Sequence, residues 1–113
     1  MIDYLKAVVE ISRERRKYFR NYKRYARLIK GAVGLEDAEV IVFGSVVKGD
    51  YTMASDIDVL VVSDSIPRGL NERAKILCKV NDVLGCLHPF ELHLVTKKEF
   101  EWSKGLIGEY VRI

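Results

Sequence analysis

Proline, cysteine and long apolar runs are all scarce in this chain, and each scarcity excludes something. Pro67 and Pro89 are the only prolines among 113 residues, and both lie where the pattern already reads as loop. Residues 2–31 hold no proline and no glycine before Gly31. They are predicted to form one long helix, ended where Gly31 and Gly34 supply C-terminal glycines. Cys78 and Cys86 lie eight apart on what reads as one helix, roughly 12 Å at 1.5 Å per residue. That is beyond disulfide reach, so both are read as reduced thiols and not as ligands. No apolar run approaches a membrane span, and the opening residues carry no apolar signal region. The chain is therefore expected to be cytoplasmic, with no membrane partner. No internal repeat or low-complexity tract appears.

What is present is enough apolar residue, 49%, to build one core. At this length a single domain is expected, with residues 1–34 as a basic N-terminal helix and 35–113 as its core, and no room for a separate acceptor domain. The net charge of +3 hides a split. Residues 1–30 carry ten Lys/Arg against Asp3, Glu10 and Glu14, a net of +7; the remainder carries nine against thirteen, a net of −4. A basic arm on an acidic body suits a polyanionic ligand or an acidic partner, or is simply a solvated helix face. Tyr18, Tyr22 and Tyr25 share a face of that helix. Interleaved with arginines they suit base stacking, and they equally suit packing against a sheet. At thirty residues the helix would be about 45 Å long, longer than a small domain needs, which suggests docking onto a partner or a second copy.

Residues 40–62 organise the rest. An apolar strand, residues 40–43, ends in Gly44-Ser45, and a polar loop leads to Asp56-Ile57-Asp58 and the apolar run 59–62. On a strand, a spacing of two places both carboxylates on one face. Side by side they repel, and a hard divalent cation relieves the repulsion; a solvated pair at a strand start is the plainer reading. Ser45 is expected to open a single helical turn closed by Gly49, with backbone N–H groups exposed to an anion. Ser55 is placed to orient Asp56 by a hydrogen bond.

Downstream, residues 71–84 return to helical period and Gly85 ends them. Residues 90–95 then alternate, with Phe90, Leu92 and Leu94 on one face and Glu91 and His93 on the other. Thr96 suits the N-cap of a short helix from Lys97 to about Lys104. The tail, residues 106–113, fits strand or helix equally. Strand–helix–strand over residues 57–95 predicts parallel strands, which brings Asp56, Asp58 and Glu91 to one sheet edge. Gly44-Ser45 reaches that edge only if its strand runs antiparallel to the aspartate strand. The expected architecture is α/β: a small mixed sheet flanked by helices. His93 shares the Glu91 face and could donate to a phosphate or act in proton transfer, though a surface position is the plainer reading; His88 is read as loop, and Asp50 and Asp64 receive no catalytic role.

The sequence Phe43-Gly44-Ser45, ten residues, then Asp56-Ile57-Asp58-Val59 resembles the nucleotidyltransferase superfamily of polymerase-β-like enzymes. The short chain is most similar to the minimal nucleotidyltransferases of prokaryotes. In haloacid-dehalogenase-type phosphatases and many glycosyltransferases the paired acids follow an apolar strand; here they precede one, which argues against both. The resemblance implies the nucleotidyltransferase fold, two Mg²⁺ ions held by Asp56 and Asp58 with Glu91 as the third acid, and an NTP, ATP by preference, gripped by Gly44 and Ser45. It places Lys48 where many relatives carry Arg, a point charge without a bidentate grip, and Glu91 where many carry Asp. It further implies transfer of AMP to a hydroxyl acceptor. By the same resemblance the partner is a small helical HEPN-domain protein in a toxin–antitoxin pair. Two other readings stay open: a nucleotide-binding antitoxin acting by contact alone, and an RNA-binding subunit using the basic helix.

Overall fold

The structure, a computed structural model, describes residues 2–113. Helices α1 (Ile2–Arg20) and α2 (Tyr22–Val33) lead into strand β1 (Glu39–Phe43), the one-turn helix α3 (Ser45–Lys48) and strand β2 (Ile57–Val62). Helix α4 (Leu70–Leu84), strand β3 (Phe90–Val95), helix α5 (Lys97–Ile107) and strand β4 (Tyr110–Arg112) complete the chain. The sheet order is β3-β2-β1-β4. β1 runs antiparallel to β2 and to β4, while β2 and β3 are parallel. The α/β fold with its mixed sheet is as expected, and the undecided tail resolves into the last turn of α5 followed by an edge strand.

Alternation splits the sheet side chains between two apolar layers. Val40, Val42, Ile57, Val59, Val61 and Phe90 face a large core closed by α2 and α4. Ile41, Leu60 and Val62 face a smaller one closed by Phe100 of α5. Because α5 covers only part of that second face, the start of β2 is left uncapped beside it.

The single N-terminal helix is corrected to two. Asn21 leaves helical geometry (φ −117°, ψ 32°), and its side-chain amide donates to the Lys17 carbonyl at 3.1 Å. Asparagine competes with the backbone in this way without any glycine or proline to announce it. The break lets both sides reach the core: Tyr18 and Phe19 before it, Ala26, Ile29 and Val33 after it. Tyr18 is buried, donates its hydroxyl to the Leu84 carbonyl at 2.7 Å and packs against Tyr25 and Phe90. Tyr18 therefore acts as a core residue, and Tyr22 and Tyr25 pack partly buried against the same core. Cys86 also departs from expectation, lying beyond the end of α4; both cysteines are free and exposed. No helix among the described residues is long and apolar enough to cross a membrane.

Candidate active site

Register places the chemistry. Asp58 pairs with Phe43 on one side and Glu91 on the other, and Leu60 pairs with His93. Phe43, Asp58 and Glu91 thus form one row across the sheet, with His93 one pleat further along the same face. Ligand atoms of Asp58, Glu91 and His93 all lie within 4.8 Å of one another. His93 Nε2 stands 3.9 Å from Glu91 Oε1. His93 is exposed, as the plainer sequence reading expects, and it also shares the Glu91 face and belongs to this group. Its two-residue spacing from Glu91 was the available signal.

Asp58 is half-buried, and its carboxyl is held above the ordinary value first by burial, then by the Glu91 charge, with a smaller push from Asp56; His93 pulls the other way. Among the described residues no Lys or Arg pairs with Asp58 or Glu91. The acids are left as a negative cluster that a cation can neutralise. Asp56 sits one residue before β2, exposed, and is not in the close group; its link to the cluster is electrostatic.

Gly44 shows why the small residue is needed. It adopts φ 85°, ψ −155°, a region essentially closed to other residues. A Cβ there would stand 2.5 Å from Asp58 Oδ2. The Asp58 carboxylate thus lies against the face of Gly44 where a side chain would project. Half-buried Ser45 opens α3 directly after it, and Gly49 closes the turn with its N–H on the Ser45 carbonyl at 2.9 Å. Exposed Lys48 ends the same turn.

The loop before Asp56 is held from a distance. Arg15 of α1 donates from Nε to the Met53 carbonyl at 2.8 Å and from a terminal nitrogen to the Ser55 carbonyl at 2.6 Å. Phe19 stacks on Tyr51 with centroids 4.6 Å apart. Ser55 is corrected here: its hydroxyl accepts the Thr52 N–H at 2.9 Å, closing the loop, and makes no hydrogen bond to Asp56. A groove between the end of α2 and α4 lies beyond the opposite end of β2 and includes none of these residues.

Residues 23–111 match the family described as nucleotidyltransferase domain. A Methanocaldococcus jannaschii protein named "Putative protein adenylyltransferase" is 30% identical over 82 residues, covering 72% of this chain and 80% of its own. A solved structure described as a "putative nucleotidyltransferase" is 39% identical, with TM-score 0.61, covering 77% of this chain and 95% of that one. A second, from Sulfolobus solfataricus, is similar in fold alone: 17% identity and TM-score 0.55, covering 90% and 84%. With most of its length matched, the chain belongs to the nucleotidyltransferase domain family.

Proposed function

We propose that the chain transfers AMP from ATP to a hydroxyl group on a protein partner. The observation that carries this is the convergence of two carboxylates that no Lys or Arg among the described residues pairs, Asp58 and Glu91, with the Gly44-Ser45 turn at one sheet edge. That donor set fits a hard divalent cation. Two Mg²⁺ ions, held by Asp56, Asp58 and Glu91, would neutralise the triphosphate and make the acceptor hydroxyl easier to deprotonate. The chain's own part is positioning. The Gly44-Ser45 turn and Lys48 receive the β- and γ-phosphates, and the Arg15-held loop fixes Asp56. The acceptor oxygen bonds to the α-phosphorus, the bond to the bridging oxygen of the β-phosphate breaks, pyrophosphate leaves and the hydroxyl proton is lost to water.

The relative named as a protein adenylyltransferase supports a protein acceptor. The partner we favour, on the family resemblance, is a HEPN-domain toxin with this chain as its antitoxin. Tyr4, Leu5, Val8 and Val9 form an exposed apolar stripe on α1, which also supports a second reading, neutralisation by contact without turnover. The RNA-binding alternative keeps the basic helix surface and the partly exposed Tyr22 and Tyr25, while Tyr18 is taken up by the core.

The test combines chain, HEPN partner, Mg²⁺ and α-labelled ATP. Label on the partner, lost in the Asp56→Ala/Asp58→Ala double variant, is the expected result. A double variant that still neutralises the partner fully favours contact alone.

A further inference from the structure

His93 is absorbed by no part of the reaction above, yet it stands in the acidic group. Glu91 and His93 lie two apart on β3, so the pleat turns both to one face, and register sets Asp58 beside Glu91. The 3.9 Å between His93 Nε2 and Glu91 Oε1 is too long for a hydrogen bond. It suits two ligands of one ion, which at bonds of about 2.0–2.2 Å stand about 3–4.4 Å apart. The full group spans 4.8 Å, so a small rotation of exposed side chains completes it. The two carboxylates carry the charge that a dication cancels, and no Lys or Arg among the described residues competes for them.

We propose that Asp58, Glu91 and His93 form a mixed carboxylate–imidazole site that holds a first-row transition-metal ion in preference to Mg²⁺. Mg²⁺ takes oxygen ligands and keeps its waters; an imidazole nitrogen favours Mn²⁺, Co²⁺ or Zn²⁺ over it, rising along that series toward the softer ions. The site deepens the nucleotidyl-transfer reading and rests on it for its place beside substrate, but it is measured without any turnover.

Co²⁺ is the probe, titrated into the full chain and followed by calorimetry, visible absorption and the paramagnetically shifted imidazole signals of bound histidine. The wild-type chain is expected to bind Co²⁺ with one shifted imidazole and to release it only to a large excess of Mg²⁺. The chain has two histidines, and His88 is engaged by Asn81 and the Phe90 N–H, so the signal reports His93. His93→Gln should remove the shifted signal and lower Co²⁺ affinity on the order of tenfold or more, the loss seen even for groups that merely orient a ligand. Its Mg²⁺ affinity should stay within about twofold, because the oxygen ligands that Mg²⁺ prefers remain. Thermal melting checks that the variant folds. A wild-type chain that binds no Co²⁺, or a His93→Gln variant that keeps the shifted signal and the affinity, overturns the proposal. Co²⁺ binding through His93 in a chain that transfers no nucleotide upholds this site and ends the transfer reading.

Discussion

Gly44 and Asp58 act as one unit. Replacing Gly44 by Ala asks an L-residue to occupy a glycine-only conformation, costing about 1–3 kcal/mol, and drives a Cβ into the Asp58 carboxylate. Denaturant unfolding should read that loss, and nucleotidyl transfer should fall further than stability explains, because the displaced group is a metal-ligand candidate. The Gly-Ser spacing before the acids was legible in sequence; the contact between Gly44 and Asp58 was not, because it depends on which strand lies beside which. Asp58 also carries a pH signature. Its folded-state carboxyl is raised above 3.8, so the unfolded chain releases that proton first as pH rises. Asp58 therefore costs stability from about its unfolded value upward, the cost being complete once pH passes the folded value. In metal-free buffer, Asp58→Asn should melt higher than wild type at pH 7, with the difference shrinking toward pH 4. The same variant should lose transfer by on the order of a hundredfold or more, as when a charge-stabilising group is removed. Equal melting temperatures at both pH values would contradict the account.

Among the elements, α1 acts far from its own neighbours in sequence. Arg15 grips carbonyls 38 and 40 residues away, so α1 stabilises the loop that delivers Asp56. Arg15→Met keeps the aliphatic stem and removes the donors. Amide exchange over residues 51–56 should quicken by roughly tenfold, about 1.4 kcal/mol and near the worth of one charged hydrogen bond, while exchange in β2 stays unchanged. No local pattern marks Arg15, since its partners are backbone groups of any residue type. Helix α5 is the opposite case. Thr96 was legible as a cap, and the structure adds Glu99, whose backbone N–H donates to the Thr96 hydroxyl while its carboxylate accepts the Thr96 N–H. Thr96→Ala should cost about 0.5–2 kcal/mol in a thermal or denaturant melt. The break at Asn21 and the three-residue strand β4 escaped the sequence for a shared reason. The first turns on one asparagine side chain and the second on pairing with β1, and neither carries a periodic signal of its own.

For the whole molecule, the alternation of β1, β2 and β3 and the helix between the parallel pair sufficed to predict a mixed sheet with its acids at one edge. The distribution of cover over that sheet was not legible: α1, α2 and α4 pack on one face, while on the other the smaller cluster centres on Phe100 of α5. The basic N-terminal segment likewise divides, its second half serving the core and its first half presenting Tyr4, Leu5, Val8 and Val9 to solvent. A Leu5→Glu/Val9→Glu variant should therefore melt close to wild type, since surface changes stay near ±0.5 kcal/mol, yet lose binding in a calorimetric titration with the HEPN-domain partner proposed above. The most direct measurement of the central claim is a crystal structure of the chain soaked with Mn²⁺ and an ATP analogue that cannot be cleaved between the α- and β-phosphates. The account predicts an anomalous peak between Asp58 and Glu91, with the triphosphate lying along the Gly44–Gly49 turn. Nucleotide seated in the groove between α2 and α4, or a metal bound away from Asp58, would contradict it.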